Sequence, residues 1–67
     1  MHEEIGTAAG VLWRYLEKHG ASTLGKVKRG TRMTDPILLM ALGWLAREGK
    51  VHLLRDRRGL QISLNGH

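Results

Sequence analysis

The chain contains no cysteine. Disulfides and thiolate zinc sites are therefore excluded, and with them two common staples of a small domain. The loss matters at 67 residues, because conformational entropy of about 1.5 kcal/mol per ordered residue nearly cancels the apolar burial a short chain can achieve. Contact with a partner is the staple that remains. Long apolar runs are missing too: the longest, Pro36 to Ala46, is too short to span a bilayer. The start, Met1-His2-Glu3-Glu4, is acidic and does not read as a secretory leader. There is no Gly-rich phosphate loop of P-loop or dinucleotide type. His2, His19, His52 and His67 lack ligand spacing and read as solvated, so neither metal nor cofactor is expected. Ser22, Thr23 and Ser63 have no base that periodicity would set beside them. Asp35 and Glu48 fall at opposite ends of one predicted helix, too far apart for paired acid–base chemistry. A chain of this length rarely encloses a substrate pocket, so no enzymatic activity and no small-molecule substrate are expected.

The composition that remains, 42% hydrophobic and 25% charged, is that of a globular protein. At roughly 100–200 residues per domain, residues 1–67 form one domain. The missing cysteines fit a cytoplasmic location.

Three helices are predicted, followed by a hairpin. The first spans Glu3 to about His19. Ile5, Ala9, Leu12 and Leu16 make its apolar stripe, with Ala8 and Tyr15 at the edges. Glu3 and Glu4 in its first turn, and Lys18 and His19 in its last, complement the helix dipole, and Gly20 closes it. Ser22 or Thr23 caps a short second helix from Leu24 to Arg29, which Gly30 is expected to end. After the tight connection Thr31-Arg32-Met33, Asp35 is expected as N-cap with Pro36 at N1. The third helix runs from Pro36 to about Glu48, stopped by Gly49. Beyond it, Val51 to Leu54 and Leu60 to Leu64 read as two strands around a basic tip, Arg55-Asp56-Arg57-Arg58-Gly59. Ser22-Thr23 can add a short third strand, because a lone hairpin is marginal.

Helix, short helix, tight turn, helix, hairpin is the order of an α+β winged helix-turn-helix. A three-helix domain with an extended tail is the rival, disfavoured by the alternation after Gly49. The sequence also resembles a family. Glu3-Glu4-Ile5-Gly6-Thr7-Ala8-Ala9-Gly10 with Leu12-Trp13 and Tyr15-Leu16, and then Met40-Ala41-Leu42-Gly43-Trp44-Leu45-Ala46-Arg47-Glu48-Gly49-Lys50-Val51, look like small uncharacterised bacterial and archaeal winged helix-turn-helix proteins. The resemblance implies the winged fold and a homodimer, and carries neither a function nor catalytic residues. The segment Lys26 to Arg32 follows the family less closely, so its reading rests on this chain alone.

The formal charge of +5 is unevenly placed. Residues 21–32 carry Lys26, Lys28, Arg29 and Arg32 with no acid. Residues 50–67 carry Lys50, Arg55, Arg57 and Arg58 against Asp56 alone, and the long helices are slightly acidic. In a winged domain these two basic regions flank the recognition helix. Lys26, Lys28, Arg29, Arg32, Arg55, Arg57 and Arg58 are thus the candidate contacts to nucleic-acid phosphates, with wing-tip arginines able to enter a minor groove. A plain solvated basic surface is the alternative.

The third helix speaks against base reading. With Leu38, Ala41, Leu42 and Leu45 assigned to the core, its other side holds Leu39, Met40, Gly43, Ala46 and Arg47, with Ile37 and Trp44 at the edge. Only Arg47 suits base edges, and it sits at the end away from the usual contacts. A helix apolar all round is normally buried on more than one side. Leu39 and Met40 are therefore expected at an interface. Trp44 fits its edge, though taken alone it reads rather as core packed beneath the wing. Gly6 and Gly10, four apart with Trp13 continuing the line, fit either close approach of a partner helix or a neighbouring side chain of the same chain. The sequence therefore reads as a non-enzymatic, homodimeric DNA-binding protein that contacts mainly phosphates. The alternative is a protein-interaction module that keeps the winged shape without base reading.

Overall fold

The structure is a computed structural model that describes residues 2–65 and the side chains of residues 3–65. The His2 side chain and His67, expected from sequence to be solvated, lie outside the described residues. The order is α1 (His2–His19), β1 (Ser22–Thr23), α2 (Leu24–Thr31), α3 (Asp35–Arg47), β2 (Val51–Asp56) and β3 (Gly59–Leu64). The three strands form one antiparallel sheet in the order β1-β3-β2. The expected α+β winged helix-turn-helix is present, including the short strand at Ser22-Thr23.

The core lies where the apolar periodicities of the two long helices meet. Ala8, Ala9, Leu12 and Leu16 from α1 pack with Leu38, Ala41, Leu42 and Leu45 from α3, and Val27, Val51 and Ile62 complete the cluster. Leu12, Val27, Ala41 and Ile62 are wholly inaccessible. Burying a leucine-sized side chain contributes about 1.5–3 kcal/mol, so this single cluster carries most of the favourable side of folding. Gly20 and Gly49 end α1 and the α3 segment at φ of 76° and 70°, left-handed geometry that suits glycine.

Three local expectations are corrected. Gly30 does not end α2. The helix continues to Thr31, and Arg32 closes it in the left-handed region (φ 60°, ψ 23°), donating its backbone N–H to the Lys28 carbonyl at 2.9 Å. Gly30 has another reason. A Cβ there would lie 2.3 Å from the ring of Tyr15 on α1, so any side chain at this position would have to displace that ring. Asp35 is not the cap of α3: Thr34 occupies that position without a side-chain cap bond. The Asp35 carboxylate is instead drawn to the Lys28 ammonium on α2, at 2.7 Å. Finally, the strands of the wing run to Asp56 and from Gly59. Only Arg57 and Arg58 form the turn, and Arg55 belongs to β2.

Candidate nucleic-acid interface

The basic segments are built on two small devices. Thr23 serves both as the last residue of β1 and as the N-cap of α2, its hydroxyl accepting from the Lys26 N–H at 3.2 Å. Because Thr23 pairs with Gln61, and Gln61 in turn with Leu54, the start of α2 is fixed two positions along β3 from Gly59, where the hairpin closes. The basic helix is thereby launched from the wing itself. At the tip, Asp56 Oδ1 accepts from the Arg58 N–H at 2.8 Å and Oδ2 accepts from Gln61 Nε2 at 3.0 Å. The one acid of the wing is thus committed to holding the turn that carries Arg57 and Arg58.

Lys26, Lys28, Arg29, Arg32, Arg55, Arg57 and Arg58 are all exposed. Among the described residues Lys28 alone of these seven forms an ion pair, with Asp35; both side chains remain at least half exposed, so the pair is screened and contributes at most about 1 kcal/mol. The other six side chains form no ion pair among the described residues, and the positive charge they present attracts polyanions at long range.

The outer side of α3 is apolar apart from Arg47 in its last turn. Leu39 is 55% exposed, Trp44 41% and Met40 36%. The Leu39 and Met40 side chains offer no hydrogen bonds to base edges. Trp44 does not pack beneath the wing, contrary to the reading of that residue alone. It stands at the rim of a groove of about 670 Å³ lined in part by Gly6, Gly10 and Trp13 of α1. The structure thus gathers Gly6, Gly10, Trp13 and Trp44 into one concavity, while Leu39 and Met40 lie outside its lining. Gly6 does not accommodate a neighbouring side chain, since a Cβ there would meet nothing within 4 Å. At Gly10 only the Arg14 guanidinium comes as near as 3.7 Å.

Sequence reasoning misses the contact between Tyr15 and Gly30. Periodicity sets Tyr15 at the edge of a stripe and composition sets Gly30 at a helix end, and neither signal joins them. Also unforeseen are Leu53 and Leu54 on the edge strand β2, 45% and 64% exposed.

The element order, the three-stranded sheet and the matching of residues 1–64 to the winged helix-turn-helix domain family DUF2582 agree. The chain belongs to DUF2582. It is 36% identical over 66 residues to an uncharacterised protein of Methanocaldococcus jannaschii, MJ1608, a match covering 96% of this chain and 94% of the relative. It is also similar to the solution NMR structure of protein BT2368 from Bacteroides thetaiotaomicron. There the TM-score is 0.85 at 29% identity, over 97% of this chain and 79% of that one. Membership in DUF2582 brings a winged helix-turn-helix domain, an architecture that suggests nucleic-acid binding. No helix among the described residues is long and apolar enough to cross a membrane.

Proposed function

We propose that this single-domain protein binds duplex DNA through the phosphate backbone, acts as a cytoplasmic homodimer and performs no catalysis. One observation carries the reading: the excess of exposed cations over acids falls on α2 with its turn and on the wing, and the wing's one acid is hydrogen-bonded within the turn. Phosphate contacts fix position without reading sequence, and the outer side of α3 supplies one base reader, Arg47, at the end away from the usual contacts, so sequence preference is weak. Titration of a labelled duplex by fluorescence anisotropy tests this. Binding should weaken steeply as salt rises, with a log–log slope of about −0.9 per phosphate contact. Absence of binding at low salt and tens of micromolar protein would refute it.

A second reading, a protein-interaction module, is favoured by the exposure of Leu39, Met40 and Trp44. The same surface supports the homodimer. Glycines at 6 and 10 leave the α1 backbone approachable, and a second copy would cover it together with Trp13 and Trp44. Met40→Asp places a charge on the exposed side of α3, beside the groove, without disturbing the core, because Met40 is outside the buried cluster. Sedimentation should show a smaller species than the parent. An unchanged mass would remove Met40 from any self-interface.

A further inference from the structure

α2 is a short helix with eight residues and a single buried one, Val27. Its N-terminal end is further fixed by the Thr23 cap and by Leu24, which packs partly buried against the same core. The C-terminal half, beyond Val27, receives its attachment from α1. The ring of Tyr15 lies so close over Gly30 that an added Cβ would be 2.3 Å from Cε2 and 2.8 Å from both Cζ and Oη. The Tyr15 hydroxyl donates to the Lys26 carbonyl at 3.4 Å. The ring therefore touches α2 at residues four apart, which share one face of a helix. His19, one turn further along α1, backs the ring with centroids 4.3 Å apart. Lys28 and Arg29 lie between the two gripped residues in sequence.

We propose that Tyr15 is a positioning residue for the basic helix: seated on Gly30 and tied to the Lys26 carbonyl, it sets the roll of α2 and hence the direction in which Lys26, Lys28 and Arg29 meet a nucleic-acid backbone. The assignment rests on the DNA-binding reading above. It needs no contact between Tyr15 and the DNA. It also accounts for a glycine in the last turn of an eight-residue helix, which neither a positive φ nor the chain's turn requires.

The test uses Tyr15→Phe, Tyr15→Leu and Gly30→Ala, none of which alters charge. Circular dichroism first establishes the temperature at which each is fully folded, and duplex binding is then measured there over a range of salt concentrations. Tyr15→Phe, which keeps the plate, should bind within about twofold of the parent. Tyr15→Leu removes the plate and Gly30→Ala displaces it. Each should bind about tenfold more weakly, with a salt slope shallower by about 1.8, the equivalent of two lost phosphate contacts. A purely structural role would lower the melting temperature and leave the slope of the folded protein unchanged. Should Tyr15→Leu fail to fold, Gly30→Ala decides by the same criterion. A folded variant with the parent's affinity and slope overturns the role of Tyr15 alone. A parent that does not bind duplex at low salt overturns both this role and the function it serves.

Discussion

Replacing Arg32 by glycine should stabilise the fold and weaken DNA binding at the same time. Arg32 is the one described non-glycine residue with positive φ, at 60°. The left-handed region costs an L-residue about 1–2 kcal/mol, and glycine escapes that cost at the expense of about 0.5–1 kcal/mol of extra chain entropy in the unfolded state. The capping bond from the Arg32 N–H to the Lys28 carbonyl is made by backbone and survives the change. The net gain is about 0.5–1 kcal/mol. With an unfolding entropy of about 2.1 cal/mol/K per residue, that raises the melting temperature by about 4–7 °C in a chain of this length. The same change deletes one of the seven candidate phosphate contacts, so the salt slope of duplex binding should become shallower by about 0.9. Thermal melts followed by circular dichroism, paired with salt-titrated anisotropy, read the two effects separately. A lower melting temperature would refute the strain argument. A higher one with an unchanged slope would show that Arg32 touches no phosphate.

Two further substitutions probe neighbouring features. Gly43 lies mid-helix on the exposed side of α3, where an added Cβ would meet nothing within 4 Å, so Gly43→Ala should stabilise the protein by about 1 kcal/mol; a loss in dilute solution, seen by chemical denaturation, would mean that the space is filled. Asp56→Ala removes the acceptor of two wing hydrogen bonds and should lower stability by about 1 kcal/mol although it makes the protein more basic; unchanged amide exchange at Arg58 would show that the carboxylate does not hold the turn.

The parts of this fold legible in the sequence are those set by local periodicity and by turn chemistry. Ala9, Leu12 and Leu16 of the α1 stripe and the set Leu38, Ala41, Leu42 and Leu45 are buried as the 3.6-residue repeat requires, whereas Ile5 at the start of that stripe is only half-buried. Gly20 and Gly49 take the positive φ that helix ends favour. What failed depends on residues distant in the chain. A glycine after a short basic helix looks the same whether it stops the helix or admits a ring from fifteen residues upstream. Asp35 before Pro36 has the composition of a cap, but the Lys28 ammonium on another helix competes for its carboxylate and takes it. Arg32 inherits the left-handed position because the helix overran Gly30, and nothing in its own identity announces that. At the candidate site, the location of charge was legible from counting alone, whereas the groove that joins Trp13 to Trp44 required knowing how α1 and α3 lie side by side.

In a helix-turn-helix protein the second helix ordinarily carries sequence information through polar side chains near its N-terminus. Here the corresponding positions of α3 hold Asp35, Pro36, Leu39 and Met40. A carboxylate there repels phosphate, and the apolar side chains cannot exchange hydrogen bonds with base edges. Insertion of this face into a major groove would desolvate polar base edges without replacing their lost water, at roughly 1–3 kcal/mol for each unpaired group. The cations on α2 and the wing carry no such penalty, and none of the seven lines the groove between α1 and α3. A partner seated in that groove would therefore leave the cations proposed to contact phosphate uncovered. Apolar contact and DNA contact need not compete for the same side chains, which is why the exposed face of α3 counts against base reading and not against binding.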